Sequence, residues 1–244
     1  MADAVAAPGI RWRSVFLATT ILMYGFVLAG FWPYWSSATR WSTMPWVLHL
    51  HAAVFTGWMV LLLAQVLLVA GRRTDLHRRL GRVGMAWGVL VLLMGLVISA
   101  VMPALHVIRG EGTLDEQAAF LILPLGDMVL FGTLFGAAMW YRRKPEIHKR
   151  CILLATVALM FAPVARVMDT AGLPALLLVW LLPVLIGAAA DWRSRGRVHA
   201  AYLIGAAWLL VGFGRLALME SPAWLRVGRS LVAGVQPAVG RLFD

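Results

Sequence analysis

The chain has 244 residues, 61% of them hydrophobic and only 14% charged, with a formal net charge of +11. Apolar runs recur along the whole length, which excludes a water-soluble globular protein and predicts an all-α polytopic membrane helical bundle in a lipid bilayer. The positive charge sits in short turns between those runs, so it reads as topology and not as a nucleic-acid surface. The single cysteine, Cys151, excludes an intrachain disulfide.

The opening MADAVAAPGIRWRS lacks the layout of a cleaved signal peptide, so the first apolar run is expected to be a retained span. Seven transmembrane helices are expected at 14–35, 45–70, 83–104, 117–141, 151–169, 173–190 and 200–219, each long enough to cross about 30 Å of hydrocarbon. The sixth is short and holds Pro174 and Pro183. No long stretch is polar enough for a separate soluble domain, so residues 1–244 are expected to form a single membrane domain.

The turns give the orientation. Arg11 and Arg13 precede the first span, and Arg72, Arg73, Arg78, Arg79 and Arg82 fill the second-to-third turn. Arg142, Arg143, Lys144, Lys149 and Arg150 fill the fourth-to-fifth turn, and Arg193, Arg195 and Arg197 the sixth-to-seventh. The opposite short loops hold only Arg40 and Arg109. The positive-inside rule then predicts a cytoplasmic N-terminus and a C-terminus outside. The tail, 221–244, opens on Ser221-Pro222 and has the pattern of an interfacial amphipathic helix through Trp224, Leu225, Leu231 and Val232 with Arg226 and Arg229. Its charge suits the cytoplasmic side, so either it lies outside against the rule or one span is miscounted.

A weak repeat is visible in DLHRRLGRVGMAWGVL, EIHKRCILLATVALMF and RVHAAYLIGAAWLLVG, which predicts three helical hairpins plus one leading helix. In the first two, an acid stands two residues before the histidine: Asp75 before His77 and Glu146 before His148. Each acid either serves the start of the next helix or orients its histidine, as carboxylates do around metals and haem.

Topology sorts the histidines into two sets. His77, His148 and His199 fall at the cytoplasmic ends of spans three, five and seven; His49, His51 and His106 fall near the outer ends of spans two and three. Residues two apart on a helix diverge by roughly 200°, so His49 and His51 cannot share a ligand without unwinding. His51 lies on a stripe with Phe55, Trp58, Leu62 and Gln65 and is expected to face inward, as a ligand or as a histidine bonded to a neighbouring carbonyl, with His49 peripheral. Neutral imidazole is a common haem and transition-metal ligand. The candidate cofactor ligands are therefore His51, His77, His106, His148 and His199, and a metal set at the outer face would be His49, His51 and His106.

Other polar residues fall within the spans. Asp127 lies near the middle of span four, Arg166 and Asp169 at the outer end of span five, and Arg215 and Glu220 at the outer end of span seven. A charge at mid-membrane usually marks function or a pair, so Asp127 is expected to be protonated or to pair with Arg166 or Arg215. An eighteen-residue spacing would place His148 and Arg166 on one face of span five. Trp32, Trp35, Trp41 and Trp46 read as the outer aromatic belt and Trp140 and Trp192 as the inner one. Glycines 84, 88, 95, 205, 212 and 214 read as close-packing positions.

The histidine boxes of di-iron membrane enzymes, HExxH, a mid-helix lysine for retinal and a phosphate-binding GxxxxGK[ST] are all missing, and no serine nucleophile with an embedded base is legible. The stretches LHRRLGRVG (Leu76–Gly84) and IHKRCILLATVALMF (Ile147–Phe161), with an upstream span that begins in histidine, resemble a group of uncharacterised bacterial multi-pass membrane proteins. They are similar to membrane proteins implicated in maturation of haem–copper oxidases and, more loosely, to diheme b-type cytochromes. That resemblance implies His51, His77 and His148 as haem or copper contacts and respiratory-chain proteins as partners. Two functions are expected. One is a redox-linked protein binding haem, copper or iron, in electron transfer or oxidase assembly. The other is a small transporter or sensor with Gln65, Asp127 and Arg166 along a polar route.

Overall fold

The computed structural model describes residues 12–243, which are helical with short turns and contain no strand. In chain order the helices are α1 (Trp12–Trp35), α2 (Ala38–Thr43), α3 (Trp46–Ala70), α4 (Thr74–Ile108), α5 (Leu114–Trp140), α6 (Pro145–Leu159), α7 (Phe161–Val167), α8 (Leu173–Arg195), α9 (Ala200–Phe213) and α10 (Pro222–Phe243). Six described helices are long and apolar enough to cross a membrane, and α6 with α7 makes a seventh crossing if that bent pair is one span.

Local chemistry sets several boundaries. Thr113 and Glu116 form a reciprocal capping box at the start of α5, with bonds of 3.2 and 2.8 Å. Pro145 opens α6 in the first turn, where no N–H is needed. Gly196 closes α8 in the left-handed region, φ +67°. The sixth span is a continuous 23-residue helix: Pro174 sits in its first turn and Pro183 is accommodated inside. The 35 residues of α4 extend well past the apolar run 83–104, which places His77 in the first turn at the basic end.

Span five departs from the expectation. Its helix ends at Leu159 and restarts at Phe161 with a 50° bend. The regular rise that would align His148 with Arg166 is broken at Met160, so the shared face does not follow. In span seven, α9 gives way to a 3-10 segment, Gly214–Leu218.

The turns α3–α4, α5–α6 and α8–α9 carry the basic residues and lie at one end of the bundle, together with the start of α1. The core between the helices is aromatic and aliphatic. Trp58 meets Phe131 and Phe135 edge-on at 5.4 and 5.6 Å between ring centres, and Trp180 packs on Phe161 at 5.5 Å. Helices close on one another at glycines: a Cβ at Gly88 would overlap the Phe135 ring, at Gly95 Met128, at Gly205 Leu154 and at Gly212 Leu130. Gly84 makes only an ordinary contact with Gln65, and Gly214 has no neighbour within 4 Å, so the packing expectation fails at Gly214. The belt tryptophans 32, 35, 41, 46, 140 and 192 are all exposed.

The tail is helical and lies at the end opposite the basic turns. Trp224 Nε1 donates to the Ala118 carbonyl at 2.9 Å, and Gly228 lies against that same carbonyl. Val232 and Val239 pack with Ala104, Leu105 and Leu121, and Phe243 stacks on Trp46 at 5.9 Å. α10 therefore crosses the ends of α5 and α4 and reaches α3. The tail helix lies on the far end, as the first of the two alternatives has it; the count of seven spans holds only if α6 and α7 are one crossing. Asp115 offsets part of its positive charge by pairing with Arg229 at 2.7 Å.

Candidate functional site

At the basic end, Gln65 on α3, His77 on α4 and His148 on α6 lie at a similar level of the bundle. Trp58 on α3 donates to Thr156 on α6 at 3.3 Å, which sets the two antiparallel helices in register. Gln65 lies seven residues beyond Trp58 and His148 eight before Thr156, so both sit roughly 10–12 Å further toward the basic end. Glycines 81 and 84 face Gln65 at ordinary contact distance. The Gln65 amide, in the orientation that satisfies both of its ends, donates to His77 Nδ1 at 2.6 Å and to the His77 carbonyl at 3.2 Å, and accepts from the Gly81 N–H at 2.9 Å. His148 Nδ1 donates to the Ala138 carbonyl at 2.9 Å.

These bonds fix the ring chemistry. A carbonyl can only accept, so His148 carries its proton on Nδ1 and has a bare Nε2. His77 accepts at Nδ1 and carries its proton on Nε2. One ring thus offers a donor and the other an acceptor from the same type of atom. If the Gln65 amide turns over, its oxygen accepts a proton on His77 Nδ1, and both Nε2 atoms become ligands. Gln65 therefore sets whether His77 Nε2 is a proton donor or a free lone pair.

The acids of the repeat do not orient the histidines. Asp75 is exposed, and Glu146 binds Lys149 (2.7 Å), Arg150 (2.9 Å) and Arg195. Arg150 also forks onto Asp191, and both side chains are fully buried. Asp191 accepts a further bond from the His199 backbone N–H at 3.1 Å. Arg150 stacks on Tyr202 at 5.3 Å, and the Trp12 ring lies within 5.0 to 5.4 Å of Lys149, Arg150 and Arg195. This network ties α6, α8, α9 and α1 together. His199 caps α9, its Nδ1 accepting from the Ala201 N–H at 3.1 Å. Burial and the nearby Arg150 guanidinium lower the His199 pKa below its ordinary value.

The outer histidines do not gather around a common point. His49 meets the edge of Trp41 at 4.4 Å, and His106 faces Gln117 at 3.3 Å and Glu111 at 3.8 Å. His51 turns inward onto Phe55 at 4.2 Å, and its buried Nδ1 has no partner among the described residues, so the expected carbonyl bond is not formed there. Among the described residues no group of three or more His, Cys, Asp or Glu is arranged to hold a metal ion, so the set His49, His51 and His106 is not assembled. Asp127 pairs with Arg215, one of its two expected partners, while the buried Arg215 Nε stays unbonded. Gly126 makes room for that guanidinium. Arg166 stacks on Phe31 at 4.7 Å, and Asp169 is exposed.

Arg150 and Asp191 are the charged pair that sequence reasoning passed over. Arg150 is hidden among the cations of its turn, and Asp191 follows an apolar run. The legible signal was an acid inside a turn otherwise filled with arginines.

No family model matches the chain, and no curated protein or solved structure shows significant similarity to it.

Proposed function

We propose that the chain is a redox-linked protein of the bacterial inner membrane, with its basic end cytoplasmic, that binds a transition metal or haem through His77 and His148. What carries this reading is two imidazoles at the same level of the bundle, each bonded at Nδ1 by a protein group; with the Gln65 amide turned so that its oxygen accepts from His77 Nδ1, both Nε2 atoms would be the donor set. Two neutral imidazoles match in number and type the axial demand of haem iron, or a two-coordinate copper(I) ion. The bound group would supply one-electron chemistry. The residues hold the rings, fix their tautomers through Gln65 and the Ala138 carbonyl, and place the site at one membrane surface. Electron transfer and assembly of a respiratory oxidase both fit that placement.

The test is the absorption spectrum and metal content of full-length protein purified from cells supplied with copper, iron and haem. A Soret band or a stoichiometric metal is expected, lost in His77→Ala and in His148→Ala and kept in His106→Ala. A colourless, metal-free protein would overturn the proposal.

One observation favours the transporter or sensor reading. The bend at Met160 and the 3-10 segment Gly214–Leu218 meet where Arg215 packs on Phe161 at 5.7 Å, next to the Asp127–Arg215 pair. Broken helices around an intramembrane ion pair are a recurrent design in transporters. That reading predicts substrate flux that Asp127→Asn abolishes; flux unchanged in Asp127→Asn would count against it.

A further inference from the structure

We infer that the basic end carries a binding site for the headgroup of an anionic phospholipid, between the start of α1 and the end of α3. A groove of about 570 Å³ lies there, lined by Trp12, Arg13, Ser14, Leu17, Ala70 and Arg72. Both arginines are exposed, and neither forms an ion pair with a carboxylate among the described residues.

The cations are held in place. Arg13 Nη1 donates to the Ala70 carbonyl at 3.0 Å, which bridges α1 to the frayed end of α3 and leaves the other guanidinium donors available. Arg72 has φ +61° and is the only non-glycine residue in the left-handed region among those described. Glycine would sit there without strain. The turn locks the conformation through Arg72 N–H to Val69 at 3.1 Å and Arg73 N–H to Leu68 at 2.8 Å. An arginine is thus kept in a strained backbone position at the rim of a groove, where its planar guanidinium can donate two parallel bonds to the two non-ester oxygens of a phosphodiester.

The depth argues for a lipid and not for free phosphate. The groove lies where the apolar run of α3 ends, which is headgroup level. Leu17 and Ala70 form part of its wall, and Ile21, one turn further along α1, is 57% exposed for an acyl chain. Trp12 suits the interface. On its ring sit Lys149, Arg150 and Arg195, three cations set against the two carboxylates Glu146 and Asp191, so the wall of the groove is itself net positive.

The test is retention of phosphatidylglycerol against phosphatidylcholine by the full-length protein in native mass spectrometry, with thermal unfolding of the same samples. The wild type is expected to keep phosphatidylglycerol selectively. Arg72→Gly and Arg13→Gln should each weaken retention about fivefold. Arg72→Gly relieves backbone strain, so its unfolding temperature in phosphatidylcholine should not fall, which separates lost binding from lost folding. Equal retention of the two lipids, wild-type retention by both variants, or protection by inorganic phosphate alone to the same degree would each overturn the assignment.

Discussion

Arg150 and Asp191 have no accessible surface, so each is held in the bundle only by the other and by their shared neighbours. Removing one charge strands its partner. Arg150→Met should destabilise the protein by about 3–5 kcal/mol, whereas Arg150→Met with Asp191→Leu should recover much of that loss. Thermal unfolding of the three proteins checks this, and equal loss in the single and double variants would refute the pairing. His199 gives a pH signature. Its pKa is lowered in the fold by burial and by Arg150, so the unfolded chain binds the extra proton first as pH falls. Stability from this residue is full above the ordinary histidine value of about 6.5 and declines as pH falls through the depressed value. His199→Asn, which keeps a capping oxygen, should flatten that decline while leaving stability near pH 8 little changed. Much at this scale was readable from hydropathy: a charge at Asp127 demanded a partner, and Arg215 was one of two. The Arg150–Asp191 pair was not, because in a turn full of cations nothing marks which one is buried.

The helices were legible because an apolar stretch of about 20 residues has few other fates in a bilayer. The break at Met160 was legible in principle and was passed over: Pro163 has no N–H for the Leu159 carbonyl and its ring crowds that carbonyl, which ends α6 there. Glycine contacts were legible as a type and not one by one: Gly88, Gly95, Gly205 and Gly212 face side chains, while Gly214 faces none. Gly88→Val should therefore cost about 1–3 kcal/mol by overpacking against Phe135, and Gly214→Ala should be tolerated on steric grounds. Docking of α10 rests on close approach and not on charge. Gly228→Leu should lift 222–243 from α5 and raise its hydrogen exchange, while Asp115→Asn, at an exposed pair, should leave it docked.

Across the whole molecule, the hairpin repeat delivers the helix starts of α4, α6 and α9 to one end of the bundle. Their three histidines have different partners there: His77 bonds Gln65, His148 bonds the Ala138 carbonyl, and His199 belongs to the Asp191 network. The sequence pattern pointed to these residues without showing their partners or that Gln65 and His148 fall at one level, because that depends on how α3 and α6 are set against each other by Trp58 and Thr156. The central claim is that the rings of His77 and His148 form one site. X-ray absorption at the metal edge of the loaded, full-length protein tests it most directly. Two imidazole rings are predicted around the metal, with one lost in His77→Ala and one in His148→Ala. A spectrum without imidazole scattering, or one that neither substitution changes, would contradict the account.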